Sequence, residues 1–112
     1  MKTAMPAGKV DDDCAPDGNA PPGALVREIP IINQRGLHAR AAARFVQTVE
    51  KFDADVSVSR CGETVGGTSI MGILMLSAGI GSSIRVTAKG REAAAALDAI
   101  ARLCADKFGE GE

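Results

Sequence analysis

The sequence predicts an α+β fold in which helices cover one face of an antiparallel sheet. Segments with alternating apolar residues and segments with helical spacing follow one another in the order β-α-β-β-α-β-α. Apolar residues make up 46% of the 112 residues, which is enough for one core in one small domain. Because the chain has three Phe and neither Trp nor Tyr, that core must consist mainly of aliphatic side chains.

Residues 1–23 are expected to form a flexible extension, followed by one domain that spans residues 24–112. Four of the five prolines, several glycines and the acidic run Asp11–Asp13 lie in the extension. Such a segment buries too little apolar surface to offset the entropy lost on ordering. It is either an inert leader or an arm for a specific partner.

The domain is predicted to begin with an edge strand and an amphipathic helix. The strand covers Leu25–Ile32, and Pro30 within it indicates an edge position because proline cannot donate to a ladder. In the helix, apolar residues recur at i, i+3, i+4 and i+7 until about Lys51. The side chains expected to face the core are Leu25, Ile29, Ile31, Ala42, Phe45, Val46 and Val49.

The second half of the domain is predicted to hold three strands and two helices. A hairpin pairs residues 55–59 with a weak strand over residues 63–66. A short helix over Ile70–Leu76 follows, then a strand over Ser83–Ala88. The last helix begins after Gly90 and ends at Gly109. Its expected inward face consists of Ala93, Ala96, Leu97, Ile100, Cys104 and Phe108.

The only histidine, His38, lies where the first strand gives way to the first helix. A helix start offers free backbone N–H groups and a partial positive charge, both of which favour an anion. Arg40 and Arg44 follow one helical turn apart, and a guanidinium can donate two parallel hydrogen bonds to phosphate. A neutral imidazole is a competent nucleophile near pH 7. These residues therefore predict a phosphoryl site on His38.

Ser69 is the second candidate residue, and its ordinary role is to cap the short helix that follows. A phosphate on it would be tolerated by the helix dipole. Apolar side chains almost surround that helix, although a surface helix needs only one apolar stripe. Either Met71, Leu74 and Met75 form an exposed contact patch, or all of them lie in the core.

Composition argues against several function classes. A net charge of −1 and the scarcity of aromatic residues disfavour a nucleic-acid partner. No apolar run is long enough to span a bilayer, so no membrane partner is expected. Three cysteines without a C-x-x-C pair, beside one histidine, do not form a metal site. We expect no cofactor, reduced thiols and a cytoplasmic location.

Two motifs at their observed separation resemble those of a known family. Gly36-Leu37-His38-Ala39-Arg40 and Ser69-Ile70-Met71-Gly72-Ile73-Leu74 are similar to motifs of HPr, the histidine-containing phosphocarrier of the bacterial phosphotransferase system, and of its nitrogen-branch paralogue NPr. The resemblance covers Leu25 to about Phe108. It implies an open-faced β-sandwich, with four antiparallel strands and three helices on one side.

The resemblance also implies partners and residue roles. His38 would accept a phosphoryl group through Nδ1 from phospho-enzyme I, which is charged by phosphoenolpyruvate, and would pass it to an enzyme IIA domain. Arg40 matches the arginine that stabilises the phosphate, and Ser69 matches a regulatory serine that HPr kinase/phosphorylase modifies in some bacteria. A monomeric carrier, not a turnover enzyme, is expected. The implied docking residues are Ala39, Arg40, Ala43, Arg44, Ile70, Met71, Leu74 and Met75.

The chain departs from the family pattern at two places. Ala41 stands where many members have proline, and we expect retained function with slightly looser geometry of the first helical turn. The N-terminal extension has no general counterpart in the family. The sequence leaves open a sugar-transport branch, a nitrogen-related branch, and a mainly regulatory module switched at Ser69. A hydrolase using His38 as general base is disfavoured, since no supported nucleophile can be placed beside it.

Overall fold

The strands and helices occur in the predicted order. The computed structural model describes residues 23–76 and 78–109. The strands are β1 (Leu25–Pro30), β2 (Asp55–Arg60), β3 (Glu63–Gly66) and β4 (Ser83–Lys89), and the helices are α1 (Ala39–Val49), α2 (Ile70–Met75) and α3 (Ala93–Ala105). The predicted extension lies outside the described residues except for Gly23.

The four strands form one antiparallel sheet in the order β1-β4-β2-β3, so the predicted fold class is confirmed. β1 occupies an edge, as Pro30 predicts, and β4 lies between β1 and β2. Along β4, Ile84, Val86 and Ala88 are completely buried, whereas Arg85 and Thr87 between them are half-buried. One face of the sheet therefore carries the core, and the other is open.

The core lies between that face and the helices. α1 contributes the predicted stripe, in which Phe45 is completely buried. Val58 of β2 is completely buried too, while Val56 is half-buried. Leu25 was expected to face the core but is 45% exposed, because it begins an edge strand. β1 also ends two residues earlier than predicted, at Pro30.

The end of α3 differs from the prediction. The helix ends at Ala105, and a short turn over Lys107–Gly109 follows. Lys107 and Phe108 have φ values of 54° and 56°, which belong to the left-handed region. Phe108 is completely buried nonetheless. It therefore reaches the core through a reversal of the chain instead of through continued helical spacing.

The cysteines differ in their state. Cys61, in the turn between β2 and β3, is disulfide-bonded, so the expectation of reduced thiols is wrong for this residue. Cys104 of α3 is a free thiol, and burial raises its pKa from 9.0 to about 12. Among residues 23–76 and 78–109, every helix is too short or too polar to cross a membrane.

Candidate functional site

The segment between β1 and α1 is fastened to the segment between α2 and β4. The backbone N–H of Ile31 donates to the carbonyl of Ser82 at 2.8 Å, and the N–H of Gly81 donates to the carbonyl of Ile31 at 3.0 Å. Further along, the N–H of Leu37 donates to the carbonyl of Ala78 at 2.9 Å. These bonds fix the segment before His38 at its start, through Ile31, and at its end, through Leu37.

Gly36 makes the sharp turn that leads into α1. Its φ is +67°, a conformation that costs little only for glycine. The buried side chain of Asn33 donates through Nδ2 to the carbonyl of Gly36 at 2.9 Å. A Cβ atom on Gly36 would overlap the carbonyl oxygen of Ala78. Glycine is therefore required here both by the backbone conformation and by the lack of space.

His38 is the N-cap residue of α1 and is half-buried. Its backbone is extended, and its carbonyl accepts the first helical hydrogen bond from Ala42 at 2.8 Å. Its imidazole makes no capping hydrogen bond, and no acidic residue lies in the first turn. The helix entrance thus keeps its positive electrostatic character beside the imidazole, which suits an anion.

Arg40 and Arg44 are both exposed on α1, but their surroundings differ. Arg40 is the second residue of the helix, beside the N-cap. Arg44 extends to the turn after α3, where a Cβ on Gly109 would lie 2.8 Å from its Nη1 atom. The sequence from residue 31 to residue 49 contains no Asp or Glu. This stretch of the chain is therefore cationic, and Arg40 is the arginine nearer to His38 in sequence.

Ser69 caps α2 as the sequence predicts. Its Oγ accepts a hydrogen bond from the backbone N–H of Gly72 at 3.0 Å, and the residue is exposed. Gly72 lets the helix lie close to β3, since a Cβ there would come within 2.8 Å of the Val65 Cβ. Capping and accessibility are thus combined at Ser69.

The two alternatives for the apolar residues of α2 are resolved. Ile73 is completely buried and Leu74 packs partly against the core, whereas Met71 and Met75 are 67% and 69% exposed. α1 and α2 contact each other. The docking residues expected from the sequence all lie on these two helices and are called the α1–α2 surface below. They are exposed except for Ala43 and Leu74, which are half-buried. The surface comprises Ala39, Arg40, Ala43, Arg44, Ile70, Met71, Leu74 and Met75.

One contact at this end was not predicted from the sequence. The Nη1 atom of Arg60, the last residue of β2, donates to the carbonyl of Leu76 at 2.9 Å. Leu76 is the C-cap of α2. The only sequence signal is an arginine at a strand end, which is too common to indicate a partner. In the described part of the chain, no three His, Cys, Asp or Glu side chains cluster as a metal site would require.

Comparison with known proteins identifies the family. Residues 25–106 match the family model PTS-HPr, described as the PTS HPr component phosphorylation site. The chain is 47% identical to phosphocarrier protein HPr of Cupriavidus necator over 79% of this chain and 99% of that protein. It is 41% identical to phosphocarrier protein NPr of Shewanella violacea over 77% of this chain and 94% of that protein. The structure of HPr-C-His from Thermoanaerobacter tengcongensis matches with a TM-score of 0.74 and 40% identity, over 77% of this chain and 97% of that chain. The chain therefore belongs to the HPr family of phosphocarrier proteins.

Proposed function

We propose that His38 accepts a phosphoryl group from phospho-enzyme I, charged by phosphoenolpyruvate, and passes it to an enzyme IIA domain. Membership of a phosphocarrier family supports the carrier role. The observation that carries the assignment to His38 is its position as an N-cap residue whose imidazole does not cap the helix. It is also the only histidine in the chain.

The proposed transfer uses the imidazole as a nucleophile. Nδ1 of His38 forms an N–P bond while the bond between phosphorus and the donor breaks, and the second transfer reverses this with the acceptor. The N–H groups of Ala39 and Arg40 at the helix entrance and the guanidinium of Arg40 stabilise charge on the phosphoryl oxygens. The chain is itself phosphorylated in the first step and dephosphorylated in the second, so we propose a phosphoryl carrier and not a turnover enzyme. Its proposed location is the cytoplasm.

Docking of both partners is proposed on the α1–α2 surface. Met71 and Met75 are the most exposed of its large apolar side chains. Methionine adapts its shape readily, which suits one surface that must bind a donor and then a different acceptor. We propose that a monomer of this chain is the form that docks.

A second proposal concerns regulation at Ser69. Its exposure makes it accessible to a kinase such as HPr kinase/phosphorylase, and a phosphate there would place up to about two negative charges beside Ile70 and Met71. Such a charge would weaken docking on the apolar patch. A mainly regulatory role, including the nitrogen-related branch, is the alternative function, and similarity to both HPr and NPr proteins keeps it in consideration.

Labelling tests the carrier proposal directly. Incubation with enzyme I and labelled phosphoenolpyruvate should give an acid-labile label on the wild-type chain and none on His38→Ala. Ser69→Ala serves as the matched control and should label normally. Label that persists on His38→Ala would refute the assignment. Parallel transfer kinetics with the sugar-branch and nitrogen-branch forms of enzyme I from the same cell would then distinguish the two branches.

A further inference from the structure

Arg60 supports the C-terminal end of α2 from a neighbouring strand. Its Nη1 atom donates to the carbonyl of Leu76 at 2.9 Å, and Leu76 is only 4% exposed. The last carbonyl groups of a helix lack partners within the helix, and a cation at that end is favoured by the helix dipole. The Arg60 guanidinium therefore satisfies an acceptor that is poorly accessible to water and complements the charge of the helix end.

α2 needs such support because it has six residues. A helix of that length is not stable alone in water. Ser69 caps its first turn, and Ile73 anchors it to the core from below. Arg60 acts at the opposite end, so α2 is held at its start, its middle and its end while Met71 and Met75 stay exposed.

The same end of α2 is connected to His38. Ala78, two residues after Leu76, accepts a hydrogen bond from the backbone N–H of Leu37 at 2.9 Å. Leu37 directly precedes His38. Leu76 is therefore bonded to β2 through Arg60, and Ala78 is bonded to the residue before His38.

We propose that Arg60 is a positioning residue that fixes α2 relative to His38 and thereby sets the affinity for docking partners. This inference rests on the proposed function, because it assigns docking to the α1–α2 surface. Arg60 acts through the backbone of Leu76. Its loss should consequently weaken docking more than it slows transfer within the docked complex.

The test compares Arg60→Met, Arg60→Lys and Arg85→Met in the full chain. Methionine retains most of the side-chain length without charge, and lysine restores the charge with a single donor group. Arg85 is the control for charge, since it lies on β4 opposite Ser59, on the other face of the sheet from Ile84 and Val86. Saturation kinetics of transfer from phospho-enzyme I separate docking from transfer. Hydrogen exchange at the amides of Ile73 and Leu76 reports the order of α2 directly.

Arg60→Met is expected to raise the half-saturating concentration of phospho-enzyme I by about three- to tenfold, with an almost unchanged maximal rate. Exchange at the two α2 amides should accelerate, and Arg60→Lys should recover part of both effects. An unchanged half-saturating concentration, or an equal change in Arg85→Met, would overturn the inference. If the wild-type chain itself takes no label, the carrier proposal fails, and exchange in α2 still decides whether Arg60 positions this helix.

Discussion

Gly36 and the carbonyl oxygen of Ala78 lie so close that the space between them cannot hold a Cβ atom. Leu37, the next residue, donates to the same carbonyl oxygen. The turn that presents His38 is therefore shaped by a carbonyl from a different part of the chain. This relationship can be tested because the chain contains a second left-handed glycine without such a neighbour.

Gly36→Ala should destabilise the protein far more than Gly62→Ala. Both glycines have positive φ, at +67° and +84°, so each substitution places alanine in a conformation that costs about 1–3 kcal/mol. At Gly62 nothing lies within 4 Å of the added Cβ, whereas at Gly36 the Ala78 carbonyl must move. Urea unfolding would measure the difference, and equal losses would show that the close approach carries no strain. Phosphorylation of His38 should fall only in Gly36→Ala.

Arg40→Gln should reduce phosphoryl transfer and slightly raise stability. The guanidinium lies in the first turn of α1, where the helix dipole opposes a cation, so its removal should add about 0.3 kcal/mol. Loss of a donor to the phosphoryl oxygens should slow transfer about 100-fold. Arg102→Gln is the control: that arginine lies in the last turn of α3, where its loss should lower stability by about 0.3 kcal/mol without slowing transfer. If the unfolding free energies of the two variants changed in the same direction, the helix dipole would not be the cause of the changes.

Ser69→Ala should cost about 1 kcal/mol of unfolding free energy, because the N–H of Gly72 loses its capping acceptor. Ser69→Asp should retain wild-type stability, since aspartate is also a good N-cap residue and its charge suits a helix start. If the added charge hinders docking, Ser69→Asp should also raise the half-saturating concentration of phospho-enzyme I. Thermal unfolding and transfer kinetics on the two variants distinguish capping from regulation. Thr68→Ala, next to the cap, is the control for stability.

Met71→Thr and Met75→Thr should weaken docking without unfolding the protein. Both side chains are about two-thirds exposed, at 67% and 69%, so the unfolding free energy should change by less than about 0.5 kcal/mol. The half-saturating concentration of either partner should rise about tenfold if these residues are anchors of the interface. Val26→Thr, which is 44% exposed on the edge strand, should leave transfer unchanged. An equal effect at Val26 would move the docking surface away from α2.

Cys104 should make stability depend on pH in the alkaline range. Burial raises the pKa of its thiol from 9.0 to about 12, so above pH 9 the unfolded chain releases a proton that the folded chain retains. This contribution to the unfolding free energy is complete below pH 9 and is lost as pH rises towards about 12. Cys104→Ala should show a smaller decline between these limits, as measured by urea unfolding at each pH. A native thiol that alkylates rapidly at pH 8 would contradict its burial.

Local patterns in the sequence were sufficient to predict the element order and much of the core. The alternation of Ile84, Val86 and Ala88 and the helical spacing up to Val49 arise from packing against one face, which short-range periodicity records directly. Pro30 indicated the edge strand because its missing N–H excludes a central position. Ser69 as the cap of α2 followed from local residue preferences, and the position of His38 at the start of α1 followed from the change from strand to helix.

Contacts between distant parts of the chain could not be predicted. The bond from Arg60 to Leu76 joins residues 16 apart, and no periodicity connects them. Phe108 kept the spacing of α3, yet it is buried through left-handed backbone at Lys107 and Phe108 that the sequence does not signal. The exposure of Met71 and Met75 depends on which side of α2 faces the core, and in the folded protein Ile73 and Leu76 occupy the buried side.

The pairing of β1 with β4 has a consequence for how the protein is made. β1 is an edge strand whose register runs from Leu25 opposite Ala88 to Pro30 opposite Ser83. A nascent chain therefore cannot incorporate β1 into the sheet until β4 has left the ribosome. The hydrogen bond from the N–H of Ile31 to the carbonyl of Ser82 likewise cannot form until Ser82 has been synthesised. An incomplete product of translation that lacks these residues therefore also lacks the backbone bonds that hold the segment before His38.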